Sequence, residues 1–232
     1  MTVAAVIMAA SEASALADAD GTPAVRRLAG VAWAGGATPV VICSFDPDGN
    51  VSAALANAEV TLVEPVAQAR GPVGQITNGI DAAIRLVSDT SAALVWPARL
   101  AWVDAETVTS LIAAHGEDRG SVLRPAFGGE GGFPVLVPVA HLSALRGLPA
   151  TRMPGELVED LAAAGVPVRA IDTGDPGVTH DVSIPRADLP PYDGPPEPAD
   201  ANVHEWGAPA VDDPDDAPVP GPARLAPVDR GT

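Results

Sequence analysis

The first residues with a chemistry to offer follow directly on an apolar run. Residues 3–8 lead into Ala9-Ala10-Ser11-Glu12, and an alanine-rich segment comes next. A buried strand, a small-residue turn and a helix, in that order, aim backbone N–H groups at a phosphate. Such a loop needs glycine where the backbone turns sharply or approaches its ligand, and a cation over the charge. Ala10 and Ser11 are therefore candidate phosphate contacts, yet the turn has no glycine and Glu12 would repel a phosphate. The thirteen basic residues are all arginine, so no lysine is available to complete the site.

Other reactive residue types are sparser. Gly128–Gly132 (GGEGG) looks like a phosphate cradle, but it lies between two expected strands and not before a helix, so a hairpin loop is the better reading. His115, His141, His180 and His204 are too scattered for metal-ligand spacing. Cys43 sits in the apolar stretch VVICSF and reads as an inert core thiol; as the only cysteine it can form no internal disulfide, which suits a reducing cytosol. No Ser-His-Asp or Cys-His arrangement emerges from spacing.

These residues have to be positioned by a scaffold, and composition bounds it. The 232 residues suffice for one domain plus an extension. The formal charge of −17 argues against nucleic acid and anionic membrane partners. No apolar run is long enough to span a bilayer and no basic leader is expected, so the protein is placed in the cytoplasm.

Strands are expected at 3–8, 39–45, 60–63, 92–96, 122–124, 134–137 and 166–171. Helices are expected at 23–35, 51–58, 74–87, 105–115 (with Asp104 as its cap), 138–145 and 156–164. Ile76, Ile80, Ala83, Ile84 and Val87 form the inward face of the helix at 74–87. Apolar strands alternating with amphipathic helices imply a three-layer α/β/α domain around a mainly parallel sheet. Trp33, Trp96 and Trp102 fall in or beside these elements and are assigned to the core.

Near Pro185 the composition changes. Residues 187–232 hold ten acids, two arginines and eleven prolines, against twenty acids and eleven arginines in residues 1–186. The body is therefore read as one domain, 1–186, and 187–232 as an acidic, proline-rich, extended or disordered tail. Within the tail, His204-Glu205-Trp206 is an aromatic island. A lone tryptophan there either folds back on the body or anchors a protein partner, and docking is favoured.

Over residues 2–186 the order of elements and the local sequences resemble the MobA-like molybdenum-cofactor nucleotidyltransferase family, cytidylyltransferases included. Met8 to Leu16 resembles the opening loop L-A-A-G-x-S-x-R-M-G, and Gly21-Thr22-Pro23-Ala24-Val25 the G-K/R-P-L-L segment. Trp33 to Val41 follows the helix, A-G, strand form. Glu64-Pro65 through Gly79 is similar to N-P…G-M-x-S-S-L-x-x-G, with Gly71, Gly74, Gln75 and Gly79 as nucleotide-binding candidates. Arg124 to Leu136 resembles R-P-x-Y-x-G-x-x-G-H-P-V-L, and Asp181-Val182-Ser183-Ile184-Pro185 the closing D-I-D-T-P. The resemblance implies a Rossmann-like nucleotidyltransferase fold, Mg²⁺ and an NTP as cofactor and substrate, and molybdenum-enzyme maturation as the setting for partners.

The departures from that pattern carry the functional reading. The loop lacks the family's glycine, arginine and lysine. In Val95 to Val103, Arg99 stands where the metal aspartate of V-L-L-G-D-x-P-L-V belongs, which exchanges a Mg²⁺ ligand for a cation. Ser183 replaces the second aspartate of D-I-D-T-P and leaves Asp181 as the one carboxylate there. Phosphoryl transfer rests on positioning and on neutralising charge with metal and cations. The expectation is thus a fold that has lost catalysis, has no catalytic residues and needs no cofactor, and that serves as a binding or scaffolding subunit whose tail docks a protein. The alternative is an active Mg²⁺-dependent nucleotidyltransferase with a rearranged site, using Arg99 or Arg26 and Arg27 on phosphate and Asp181 on metal. Each candidate also has a plain reading: Arg99 a solvent-facing arginine, Asp181 a turn residue, Gly71 a turn and Gly79 a close helix contact.

Overall fold

A computed structural model describes residues 2–194. In chain order the elements are β1 (Thr2–Met8), α1 (Glu12–Ala15), β2 (Asp18–Ala19), β3 (Thr22–Pro23), α2 (Ala24–Ala34), β4 (Val40–Cys43), α3 (Asn50–Ala54), β5 (Thr61–Val63), α4 (Gly71–Leu86), β6 (Thr90–Pro97), α5 (Ala105–Glu117), β7 (Val122–Phe127), β8 (Glu130–Gly131), β9 (Val135–Pro138), α6 (Leu142–Arg146), α7 (Leu157–Ala163) and β10 (Val168–Asp172).

The main sheet runs β10-β7-β9-β6-β1-β4-β5, with β8 hairpinned onto β7. Pairings β10/β7, β6/β1, β1/β4 and β4/β5 are parallel, and β9 is antiparallel to both β6 and β7. Consecutive apolar residues bury β1 and β6 on both faces, as a covered parallel sheet requires. Val3, Ala5 and Ile7 face one core, shared with Val25 and Leu28 of α2 and Val108 and Leu111 of α5. Ala4 and Val6 face the other, shared with Ile76 and Ile80 of α4 and with Leu145, Leu157 and Leu161 beyond. The fold is therefore a three-layer, Rossmann-like α/β/α arrangement with a mixed, mainly parallel sheet. Among the described residues no helix is long and apolar enough to cross a membrane.

Gly128-Gly129 is the two-residue turn of the β7–β8 hairpin, both glycines at positive φ (58° and 84°), as a primed turn demands. Ile76, Ile80 and Ala83 are buried as expected, whereas Ile84 and Val87 are only partly covered and α4 stops at Leu86.

Three expectations are corrected. Trp96 and Trp102 are buried, but Trp33 is 55% exposed, because its position on α2 points away from the face that carries Leu28 and Ala32. Asp104 makes no side-chain cap to α5. A carboxylate far along the chain takes that role: Asp175, 2% exposed, accepts from the amide of Asp104 (2.8 Å) and the hydroxyl of Thr107 (2.7 Å), and its other oxygen accepts from the amide of Gly177. The expected helix at 138–145 is a 3₁₀ turn at Val139–His141 followed by α6, since Pro138 closes β9 directly before it.

Residues 187–194 lie against the body, with the Tyr192 hydroxyl donating to Glu106 of α5 at 2.9 Å. His204, Glu205 and Trp206 fall outside the described residues.

Candidate nucleotide crevice

The chain leaves β1 toward β4 on one side, and leaves β6 toward β9 and β7 on the other. Ligand sites in open α/β sheets form at such a switch point, outside the carboxyl ends of the strands. At that edge the amide of Ala98 donates to Met8 O and the amide of Ala9 to Cys43 O, both at 2.9 Å, so the loops after β1 and β6 start side by side. Ala10 and Ser11 are on the first loop and Arg99 on the second. The loop around Asp181 closes over the second: the amide of Val182 donates to Arg99 O at 2.9 Å, and the Trp102 indole N–H is shared between the carbonyls of Asp181 (3.1 Å) and Ile184 (2.9 Å).

The side chains meet there. Arg99 Nη2 lies 2.8 Å from Asp181 Oδ2. The other carboxylate oxygen accepts from the Ser183 hydroxyl at 2.5 Å and the Ser183 amide at 2.9 Å. The Ser183 hydroxyl first, then its amide and the charges of Arg99 and His180, hold the Asp181 carboxyl below the usual carboxylate range, against partial burial. Nearby, His180 shares Nδ1 between Pro176 O and the Thr179 hydroxyl and stands edge-on to Phe127.

The turn after β1 is equally closed in on itself. The Ser11 hydroxyl accepts from the Ser14 amide and the Ser14 hydroxyl accepts from the Ser11 amide, each at 3.1 Å, a reciprocal capping box around a single helical turn. The Ser11 and Ser14 amides are thus both bonded within the loop. Glu12 is fixed beside them, accepting from Asn50 Nδ2 at 2.7 Å.

The remaining candidates sit on α4, whose first turn opens at the same sheet edge. Gln75 spans the backbone of Val66, accepting from its amide and donating to its carbonyl at 3.0 Å each. Gly71 has φ +55°, and a Cβ there would collide with Ala150 O; one on Gly74 would collide with the side chain of Arg70. Gly79 is two turns further down, where a Cβ would overlap Val6 and come within 2.9 Å of Cys43 Sγ. It is a close contact between α4 and strands β1 and β4. Burial pushes the Cys43 thiol up to about 12, which makes it unreactive.

Sequence reasoning missed Trp102 and Ser183 as the residues that fix Asp181. Both follow close on candidates it had named, but the pairing of two distant loops has no local signal. Asp175 was likewise unforeseeable, its partners lying about seventy positions upstream.

Residues 5–165 match the family described as the MobA-like NTP transferase domain. The chain belongs to that family. Solved structures agree on the fold of this MobA-like domain. Rv0371c of Mycobacterium tuberculosis in complex with manganese is similar at TM-score 0.59 and 16% identity, covering 78% of this chain and 94% of that one. A nucleotidyl transferase from Methanothermobacter gives 0.58 and 15%, with 74% and 87% covered. The 2-C-methyl-D-erythritol 4-phosphate cytidylyltransferase of Thermus thermophilus gives 0.59 and 17%, with 80% and 95% covered. No curated protein matches the chain.

The metal that a MobA-like fold implies does not fit the residues at the crevice. Among the described residues no group of three histidine, cysteine or acidic side chains could hold an ion. The carboxylate that remains, Asp181, has one oxygen on a guanidinium and the other on Ser183. A divalent cation would have to displace Arg99 and then sit beside its charge.

Proposed function

We propose that this MobA-like protein has lost nucleotidyl transfer and works as a binding or scaffolding subunit, with His204-Glu205-Trp206 of its tail docking a protein partner. The observation that carries the reading is the Arg99–Asp181 ion pair at the switch point, where the family resemblance asks for a metal between two carboxylates. Phosphoryl transfer needs cations arrayed around the phosphates, and here Arg99 is engaged with a carboxylate. The Ser11–Ser14 capping box supports the same reading, because it bonds the Ser11 and Ser14 amides within the loop.

The test is a turnover assay: purified full-length protein with each of the four NTPs, Mg²⁺ and a phosphorylated acceptor (molybdopterin, and 2-C-methyl-D-erythritol 4-phosphate), following pyrophosphate release. No release above the buffer rate agrees with the proposal. Mg²⁺-dependent release that is lost on Arg99→Ala or Asp181→Asn would overturn it in favour of a rearranged enzyme. The docking half is read separately, by co-purification from native cells of full-length chain against Trp206→Ala. A partner must be held by the first and lost by the second; equal recovery with both removes Trp206 as the anchor.

A further inference from the structure

A cationic groove lies on the α2–α5 face. It is an open hollow of about 500 Å³ lined by Thr22, Arg26, Arg27, Gly30, Asp104 and Arg186, among others. In a chain of net charge −17, three arginines lining one hollow run against the surrounding field. None of the three is in an ion pair among the described residues, whereas Arg99, Arg124, Arg146 and Arg152 all are.

Two of the guanidiniums are held in place by carbonyls. Arg26 Nη1 donates to Ala56 O and Arg27 Nε to Ala101 O, both at 2.7 Å. Arg27 also stacks on Trp102, 5.6 Å from its ring centre. Each keeps further N–H groups beyond the one so used, and the pre-ordered fork loses little entropy on meeting an oxyanion. Burial, and then the charge of Arg186, lower the Arg27 pKa, while Asp104, Asp20 and Asp175 oppose this. Arg27 and Arg186 therefore feel one another, and an anion between them would relieve the repulsion. Thr22, just before α2, lines one end of the hollow, and Ala105, at the start of α5 beside Gly35, lines the other. Asp104 is the one acidic residue on the lining.

We infer that the Arg26–Arg27–Arg186 groove is a binding site for a phosphorylated small molecule, separate from the β1–β6 crevice and independent of metal. Guanidinium forks match phosphoryl oxygens bidentately, and two held in place with a third beside them suit a diphosphate.

The test is calorimetric titration of inorganic pyrophosphate into the full chain in EDTA, at low salt. Saturable one-to-one binding is expected, weakened about tenfold by Arg186→Gln and by Arg26→Gln, and unchanged in Arg99→Gln. Among the described residues the Arg186 side chain makes no hydrogen bond or ion pair, so its variant reads binding without a folding defect; a melt of each variant confirms this. No heat of binding in EDTA, or a loss confined to Arg99→Gln, would overturn the inference. The Arg99→Gln arm also keeps this result apart from the crevice, since a crevice that binds nucleotide would respond there and leave the Arg186 variant unaffected.

Discussion

Arg99 and Asp181 are bonded at 2.8 Å across the two loops that close the carboxyl edge of β6. Arg99 keeps two thirds of its side chain in solvent, so the pair adds at most about 1 kcal/mol to stability. Its weight is electrostatic: it occupies the Asp181 carboxylate with a cation. Replacing the cation by a carboxylate, Arg99→Asp, leaves the fold intact and sets two acids face to face. Divalent-metal binding should then appear, read as Mn²⁺ uptake by electron paramagnetic resonance, where the native chain takes up none. Equal uptake by both proteins, or by neither, would contradict this account of position 99.

Asp175 is buried and accepts from three donors of two separate segments. Asp175→Ala strands the Asp104 and Gly177 amides and the Thr107 hydroxyl in a buried place, which should cost about 3 kcal/mol. The urea midpoint should fall at unchanged slope. Thr107→Val removes a single one of those bonds and should cost about 1 kcal/mol.

Gly79 is decided by space. Alanine there gains about 1 kcal/mol of helix propensity. It also drives a methyl group into Val6 and toward Cys43, and overpacking of this kind costs about 1–3 kcal/mol. Gly79→Ala should therefore lower the thermal midpoint, whereas Gly30→Ala, on the same fold but with open space around it, should raise it. A stabilised Gly79→Ala would refute the close contact.

His115 gives the pH dependence. It is 2% exposed, bonded to Ser91 through Nε2 at 3.2 Å, with Nδ1 unpartnered. Burial, and then the charge of Arg119, hold its pKa below the ordinary imidazole value, with Asp118 opposing. Well above pH 6.5 folded and unfolded chains both carry neutral imidazole, and His115 makes no contribution to the pH dependence of stability. As the pH drops below that value the unfolded chain takes the proton first, so stability falls until the folded pKa is passed. In His115→Gln this part of the slope should vanish between pH 6.5 and 5, measured as urea midpoints across that range.

Much of the scaffold was legible because it rests on local pattern. The apolar runs at β1, β4 and β6 and the spacing of Ile76, Ile80 and Ala83 need no knowledge of the partner to be read. Trp33 was misread because its place on α2 is set by which face turns inward, and its own residue type argues for burial. The cap of α5 was misread because Asp104 has the right chemistry at the right place, yet Asp175 supplies the bond from another loop. At the crevice, position 99 could be flagged from sequence by the type of residue alone. That Arg99 bonds Asp181, and that Ser11 and Ser14 satisfy each other, are facts of three-dimensional pairing. The lining of one hollow by Arg26, Arg27 and Arg186 is of the same kind, joining a helix to a segment some 160 positions on.

The central claim is that the crevice no longer handles nucleotide with metal. Calorimetric titration of CTP and GTP into the full-length protein, with and without Mg²⁺, tests it most directly. The account predicts that Mg²⁺ adds no binding for either nucleotide, and that any heat persists in EDTA and follows Arg186, not Arg99. Micromolar binding that requires Mg²⁺ and disappears in Asp181→Asn would contradict it and return the protein to the working nucleotidyltransferases.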